Sequence, residues 1–224
     1  LQDTLGGAVT LGLGGLNNSV TYAIPFSGPG GITKNGGGTI TLTNAQTYAG
    51  ATAVNGGTLK LGDGVNDGWL TNTASITVGA SGTLAYNTLA SLTNSTPLYG
   101  PGKLTKALSS SLTLNAFNMT NGAVTVNGGT FTLNGGSSTG ATFAVNSGCA
   151  VGVNGGSLIG GGFTMNTGSR ITFTGGSSTG AALTVNGLMA APVLITGGTN
   201  LFSNSIGNNH AVYQQTGGAS GFLG

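Results

Sequence analysis

Few side chains in this sequence can do acid, base or metal chemistry. The chain has 224 residues, of which three are acidic, five are basic and one is histidine. The acids are Asp3, Asp63 and Asp67, and only Asp63 and Asp67 lie close together, in DGVNDG, with Lys60 nearby. Hydrolysis or elimination on a glycan needs carboxylates or basic groups gathered on one face. The simpler reading of DGVNDG is a surface turn with two solvated charges. Weak cation binding is the alternative, since the stretch lacks the ligand spacing and terminal Glu of a dedicated calcium loop. His210 has no Ser or Asp that can be placed beside it, so it reads as a surface or cap residue. Cys149 stands alone, which excludes an intramolecular disulfide, and no CxxC or Cys/His cluster has metal-ligand spacing. No catalytic residue, cofactor or metal ligand is assigned. Candidate ligand contacts are Asp63, Asp67 and Trp69, where Trp69 reads as a loop anchor or a stacking surface for a glycan. Thr132 and Thr172 join them, for a reason that depends on the strands below.

Composition excludes several partners. Charged residues make up 4% of the chain, and none lies between Lys106 and Arg170 or beyond Arg170. A net charge of +2 spread so thinly makes neither the basic stripe of a nucleic-acid binder nor a polybasic membrane patch. No apolar run approaches the ~18 residues of a membrane span, so no membrane insertion is expected. The opening LQDTLGGAVTLGLGGL has no initiating Met, basic stretch or unbroken apolar core, so it reads as the start of a processed or truncated product rather than as a signal peptide. Gly is abundant, at 46 residues, but 38% of the chain is apolar and the apolar residues alternate, so the chain is expected to fold.

The elements that must carry these residues are repeats. Residues 28 to 61 align with 100 to 133 without a gap, and 15 of 34 positions are identical. VNGGT occurs at 54 to 58 and 126 to 130, and VNGGS at 153 to 157. Period-2 segments recur throughout. One series runs ITLT at 40 to 43, LKLG at 59 to 62, LTLN at 112 to 115, FTLN at 131 to 134, VGVN at 151 to 154 and ITFT at 171 to 174. A second runs VTVN at 124 to 127, FAVN at 143 to 146, FTMN at 163 to 166 and LTVN at 183 to 186. From residue 112 onward, successive members of each series are 19 or 20 residues apart. No window has the spacing of an amphipathic helix.

Short strands at a constant period with no helix describe an all-β, single-stack parallel β-helix, or β-solenoid, of about 20 residues per coil, with two clear strands in each. The first and third residues of each segment should point inward. The inner ladders are then Leu112, Leu114, Phe131, Leu133, Val151, Val153, Ile171 and Phe173, and Val124, Val126, Phe143, Val145, Phe163, Met165, Leu183 and Val185. Cys149 shares the parity of Val151, which favours a buried small side chain over a reactive thiol. The Asn and Gly after each strand suit a tight corner, and successive corner Asn side chains can hydrogen-bond along the stack. Outward Thr113, Thr132 and Thr172 should align on one face and Thr125, Thr164 and Thr184 on another. Flat Thr rows can meet ice or a glycan, although Gly152 and Ala144 interrupt these. Upstream, taking ITLT, LKLG, TLAY at 83 to 86 and LTLN at 112 to 115 as one side gives coils of 19, 24 and 29 residues. The extra residues fall around DGVNDGWL and NSTPLYGPG, which are expected to bulge as loops.

Residues 31 to 64, with their ITK start, GTITLT strand, NAQTY corner and AVNGGTLKLG strand pair, closely resemble the autotransporter-associated β-strand repeat of Gram-negative surface proteins. Residues 102 to 133 resemble a more diverged copy. The resemblance implies a secreted or surface-displayed β-helix, usually not an enzyme. The uncharged tail ending in ASGFLG has none of the ~10-residue amphipathic strands of a membrane barrel.

The organisation expected is an N-terminal cap or docking segment at 1–34, solenoid repeats at 35–196, and a C-terminal cap or docking segment at 197–224. The function expected is a non-catalytic extracellular structural subunit whose partners are copies of itself, joined head to tail into a filament. A monomeric adhesin or passenger spacer is the alternative, and an ice-binding or surface-glycan-binding solenoid a further one.

Overall fold

The computed structural model describes residues 1–186, 193–203, 213–215 and 217–223. It is all-β, a parallel solenoid of about 10 turns with about 20 residues per coil. Among the described residues there is no helix.

Each coil has three strands and therefore three faces. Ala123–Val126, Thr130–Leu133 and Ser137–Thr139 form one coil, and Thr142–Val145, Ala150–Val153 and Ser157–Ile159 the next. Each strand pairs in parallel with its counterpart one coil away, as in Val124↔Phe143, Phe131↔Val151 and Ser138↔Leu158. The first face runs from Leu11–Leu13 through Ile32–Lys34, Leu98–Gly100, Phe117–Met119 and Ser157–Ile159 to Ala219–Leu223. The second runs from Val20–Tyr22 through Thr39–Leu42, Lys103–Lys106 and Ala123–Val126 to Gly162–Met165 and beyond. Long bent strands, Thr52–Leu61, Ile76–Tyr86 and Ser177–Val185, cross the edge between these two faces. The third face carries a two-stranded sheet, Ala45–Gln46 with Trp69–Leu70, and a separate seven-stranded sheet from Leu92–Asn94 to Tyr213–Gln215.

Alternation decides which side chains fill the interior. All sixteen residues of the two expected ladders are buried. Phenylalanines stack along this core: Phe143 and Phe163 lie parallel at 4.8 Å, and Phe163 meets Phe173 edge-on at 5.9 Å. Such contacts add about 0.5–1.5 kcal/mol each beyond the area they bury.

The corner role of VNGGT is visible in its second glycine. Gly57, Gly129 and Gly156 all have positive φ, at 60°, 63° and 84°. A Cβ on Gly129 would stand 2.1 Å from the Ser110 carbonyl oxygen of the coil before, so only glycine fits there. Corner asparagines form the expected ladders. Asn146 donates to Asn127 (2.6 Å), Asn166 to Asn146 (3.0 Å) and Asn186 to Asn166 (3.2 Å). A second ladder joins Asn115, Asn134 and Asn154.

Three expectations need correction. The third strand of each coil is absent from a two-strand reading, because its inward positions include Ser138 and Ser178 and so show no apolar alternation. TLAY does not share a side with LTLN: Leu84 pairs with Leu104, and Leu112 with Leu92, so the coil of 29 residues resolves into strands at the usual spacing. NSTPLYGPG is therefore no bulge, since Leu98–Gly100 is a paired strand with Leu98 fully buried. DGVNDG is a true insertion, and Ala45 pairs with Trp69 across it.

Candidate functional site

The two neighbouring aspartates do separate structural work. Asp63 is exposed and accepts hydrogen bonds from the backbone N–H of Asn66 (2.6 Å) and Val65 (2.8 Å). Those bonds, the Asn66 one foremost, hold its carboxyl below the ordinary carboxylate range. Asp67 reaches the next coil, where its two oxygens accept from Leu89 N (2.6 Å) and Ala90 N (2.9 Å). The first carboxylate closes its own loop, and the second clamps that loop to the neighbouring coil. Lys60 lies elsewhere, on the second face between Thr41 and Ala85. Among the described residues, no three His, Cys, Asp or Glu side chains gather as a metal site.

Trp69 opens the short strand that follows the insertion and is half-buried. It borders a cleft of about 330 Å³ that extends across to residues 92 to 96. Thr132 and Thr172 lie on the third face in one outward row, Thr93, Thr113, Thr132, Gly152, Thr172 and Leu194. Gly152 breaks the row between the two candidates, and all but Thr93 are half-buried. The structure thus places Asp63 and Asp67 in one insertion with Trp69 just after it, and leaves Thr132 and Thr172 on later coils.

Cys149 is a buried free thiol at a corner, with its Sγ 3.7 Å from the Ser147 carbonyl. Burial pushes its pKa up, and Lys106 offsets part of that rise. His210 lies outside the described residues.

Two lysines were not identified from the sequence as interior residues. Lys34 and Lys106 are buried, at 0% and 1% exposure. Lys34 Nζ donates to the carbonyls of Asn35 (2.7 Å), Gly36 (2.9 Å) and, one coil on, Gly56 (2.9 Å). Lys106 Nζ repeats the pattern with Ala107, Leu108 (2.9 Å) and Gly128 (3.3 Å). Each ammonium group ties a corner to the corner stacked on it. Burial lowers both pKa values. Parity could have found them, because each lysine stands two residues after an inward apolar one, Ile32 or Leu104. Tyrosine is also inside. Tyr48 Oη lies 2.6 Å from Thr52 Oγ1, and Tyr86 Oη accepts from Asn94 Nδ2 at 2.9 Å; burial pushes both phenols up to about 12.

Among known families, the passenger-associated-transport-repeat matches residues 32–61 and 104–133. Neither the curated proteins nor the solved structures yield a match. The two copies begin on different faces. The first starts with Ile32–Lys34 on the first face, and the second with Leu104 to Lys106 on the second. Every later strand of the second copy is displaced by one face in the same sense, so Thr39–Leu42 on the second face corresponds to Ser111–Leu114 on the third. What repeats is a strand, a lysine-braced corner and another strand, and two different edges of the prism accommodate it. Two stretches of the chain thus match the passenger-associated-transport-repeat, and they are wound into one solenoid and rotated by a face relative to each other.

Proposed function

We propose that the chain is a non-catalytic, extracellular structural subunit that stacks head to tail into a filament. Its two repeats imply a protein of the autotransporter passenger type, and with that a secreted or cell-surface place in a Gram-negative-type bacterium. The observation that carries the polymer is the surface of the first coil. Val20 stands in register with the inward residues Ile40, Leu59 and Leu84, which are all buried, yet it is 41% exposed. Leu5, Leu16 and Ile24, also in the N-terminal segment, are 93%, 85% and 60% exposed. A core row left open in this way fits another coil of the same width.

In this reading residues 1–34, whose strands Leu11–Leu13 and Val20–Tyr22 already continue the ladders, supply one contact surface, and residues 197–224 supply the other. The two surfaces differ, so the contact is heterologous and does not close on itself. Sedimentation tests it. The purified chain should pellet as polymer without any ligand, and Val20→Lys should leave it in the supernatant with unchanged β-sheet circular dichroism. A wild-type chain that stays soluble and monomeric would contradict polymerisation and support the passenger-spacer alternative.

A further inference from the structure

Among the described residues, the third face is divided between two sheets. Its two-stranded sheet ends with Trp69–Leu70, its seven-stranded sheet begins with Leu92–Asn94, and the cleft beside Trp69 opens between them. The four-residue excess that puts Trp69 rather than residue 65 opposite Ala45 immediately precedes the break.

Both ends of the opening are closed. At one end Asp67 clamps Leu89 and Ala90, and at the other Thr96 Oγ1 donates to the Thr73 carbonyl at 3.2 Å. A strand from another protein needs an open-ended groove, so this bounded cleft suits a compact ligand instead.

The lining specifies the ligand's chemistry. Leu70 and Leu92 continue from the interior and give an apolar floor. Trp69 adds an indole at the rim. The hydroxyls are held ready by neighbouring coils. Thr71 Oγ1 donates to the Gln46 carbonyl (2.7 Å), which leaves its lone pairs to accept. Ser95 Oγ accepts from Asn115 Nδ2 (2.8 Å), which leaves its proton to donate. Thr93 is exposed and faces outward between them in the sequence. Asn94 is committed to Tyr86 and to Thr96 N and has no part in recognition. No lining residue is ionisable. An aromatic surface for a C–H face, neutral donors and acceptors around it, and no charge together suit a neutral sugar ring.

We infer that the cleft between Trp69–Leu70 and Leu92–Asn94 binds a neutral saccharide, with one sugar ring against the Trp69 indole and its hydroxyls toward Thr71, Thr93 and Ser95. This site is independent of polymerisation. Because Trp69 is the chain's single tryptophan, its fluorescence reports occupancy directly. The full-length protein would be titrated with the methyl glycosides of glucose, galactose, mannose and N-acetylglucosamine. At least one should give a saturable change in emission. Thr93→Lys, an exposed position, should weaken that binding by about tenfold or more, equivalent to ~1.4 kcal/mol, with circular dichroism unchanged. Thr132→Lys, further along the same face, should leave it intact. No saturable change with any of the four probes would overturn the assignment, as would binding that survives Thr93→Lys undiminished or is lost with Thr132→Lys.

Discussion

Leu108 holds a backbone angle that its side chain resists. Its φ is 57°, in the left-handed region, and the corresponding corner position of the first repeat is Gly36 with φ 67°. A non-glycine residue there costs about 1–2 kcal/mol. Leu108→Gly should therefore raise the unfolding free energy by about 1 kcal/mol, less any loss of its partial burial, in a denaturant melt. The lysine beneath it works in the opposite direction. Lys106→Met keeps the length of the side chain but leaves the Ala107, Leu108 and Gly128 carbonyls without their shared donor, and should cost about 1–3 kcal/mol. The lysine also has a pH signature. Its folded pKa lies below 10.5, so the folded chain releases this proton before the unfolded chain does. Its contribution to stability therefore rises as pH climbs toward 10.5, and urea midpoints of Lys106→Met should lack that rise. The buried phenols have the reverse sign. Tyr48 and Tyr86 are raised from 10.0 to about 12, so their stabilisation is intact below pH 10 and is lost as pH rises through about 12. A shift of that size corresponds to a few kcal/mol per phenol, on the order of 3. Tyr86→Phe should be less stable at neutral pH, where Asn94 loses its acceptor, and should show about half the alkaline loss of the wild type.

At the level of the strand and corner, the ladders bind one coil to the next. Asn146 both donates to Asn127 and accepts from Asn166, so Asn146→Ala removes two links at once. The expected loss is about 1–2 kcal/mol, read as a lower melting temperature, whereas Ser147→Ala on the exposed turn beside it should change little. The sequence made the apolar ladders legible because alternation in LTLN, FTLN and VGVN reflects a strand with one face inside. It made the asparagine corners legible for the same reason, since they recur at the coil period. The third strand was illegible: SST at 137 to 139 and 177 to 179 has a serine where apolar parity needs a large side chain. Assigning TLAY and LTLN to one side followed directly, because a two-strand coil leaves nowhere to place LYG at 98 to 100. The candidate site was legible only as types. Asp63, Asp67 and Trp69 stood out as rare residues, but their roles depend on pairing between coils. The bond from Asp67 to Leu89 and the gap opposite Trp69 span more than twenty residues of sequence.

The molecule is a rod in which nearly every contact among the described residues joins adjacent coils, and the interior row at its first coil is left open. The second repeat is rotated by one face relative to the first, so the repeat unit is not tied to one face, and in the proposed filament a junction between subunits would use the same strand-on-strand stacking as a junction within one. Coils stack about 4.8 Å apart, so about 10 turns give a subunit roughly 48 Å long. Electron microscopy of the purified, detergent-free protein at neutral pH measures this most directly. The expected result is fibres of uniform width with an axial repeat near that length. Isolated rods of one subunit's length would contradict head-to-tail assembly.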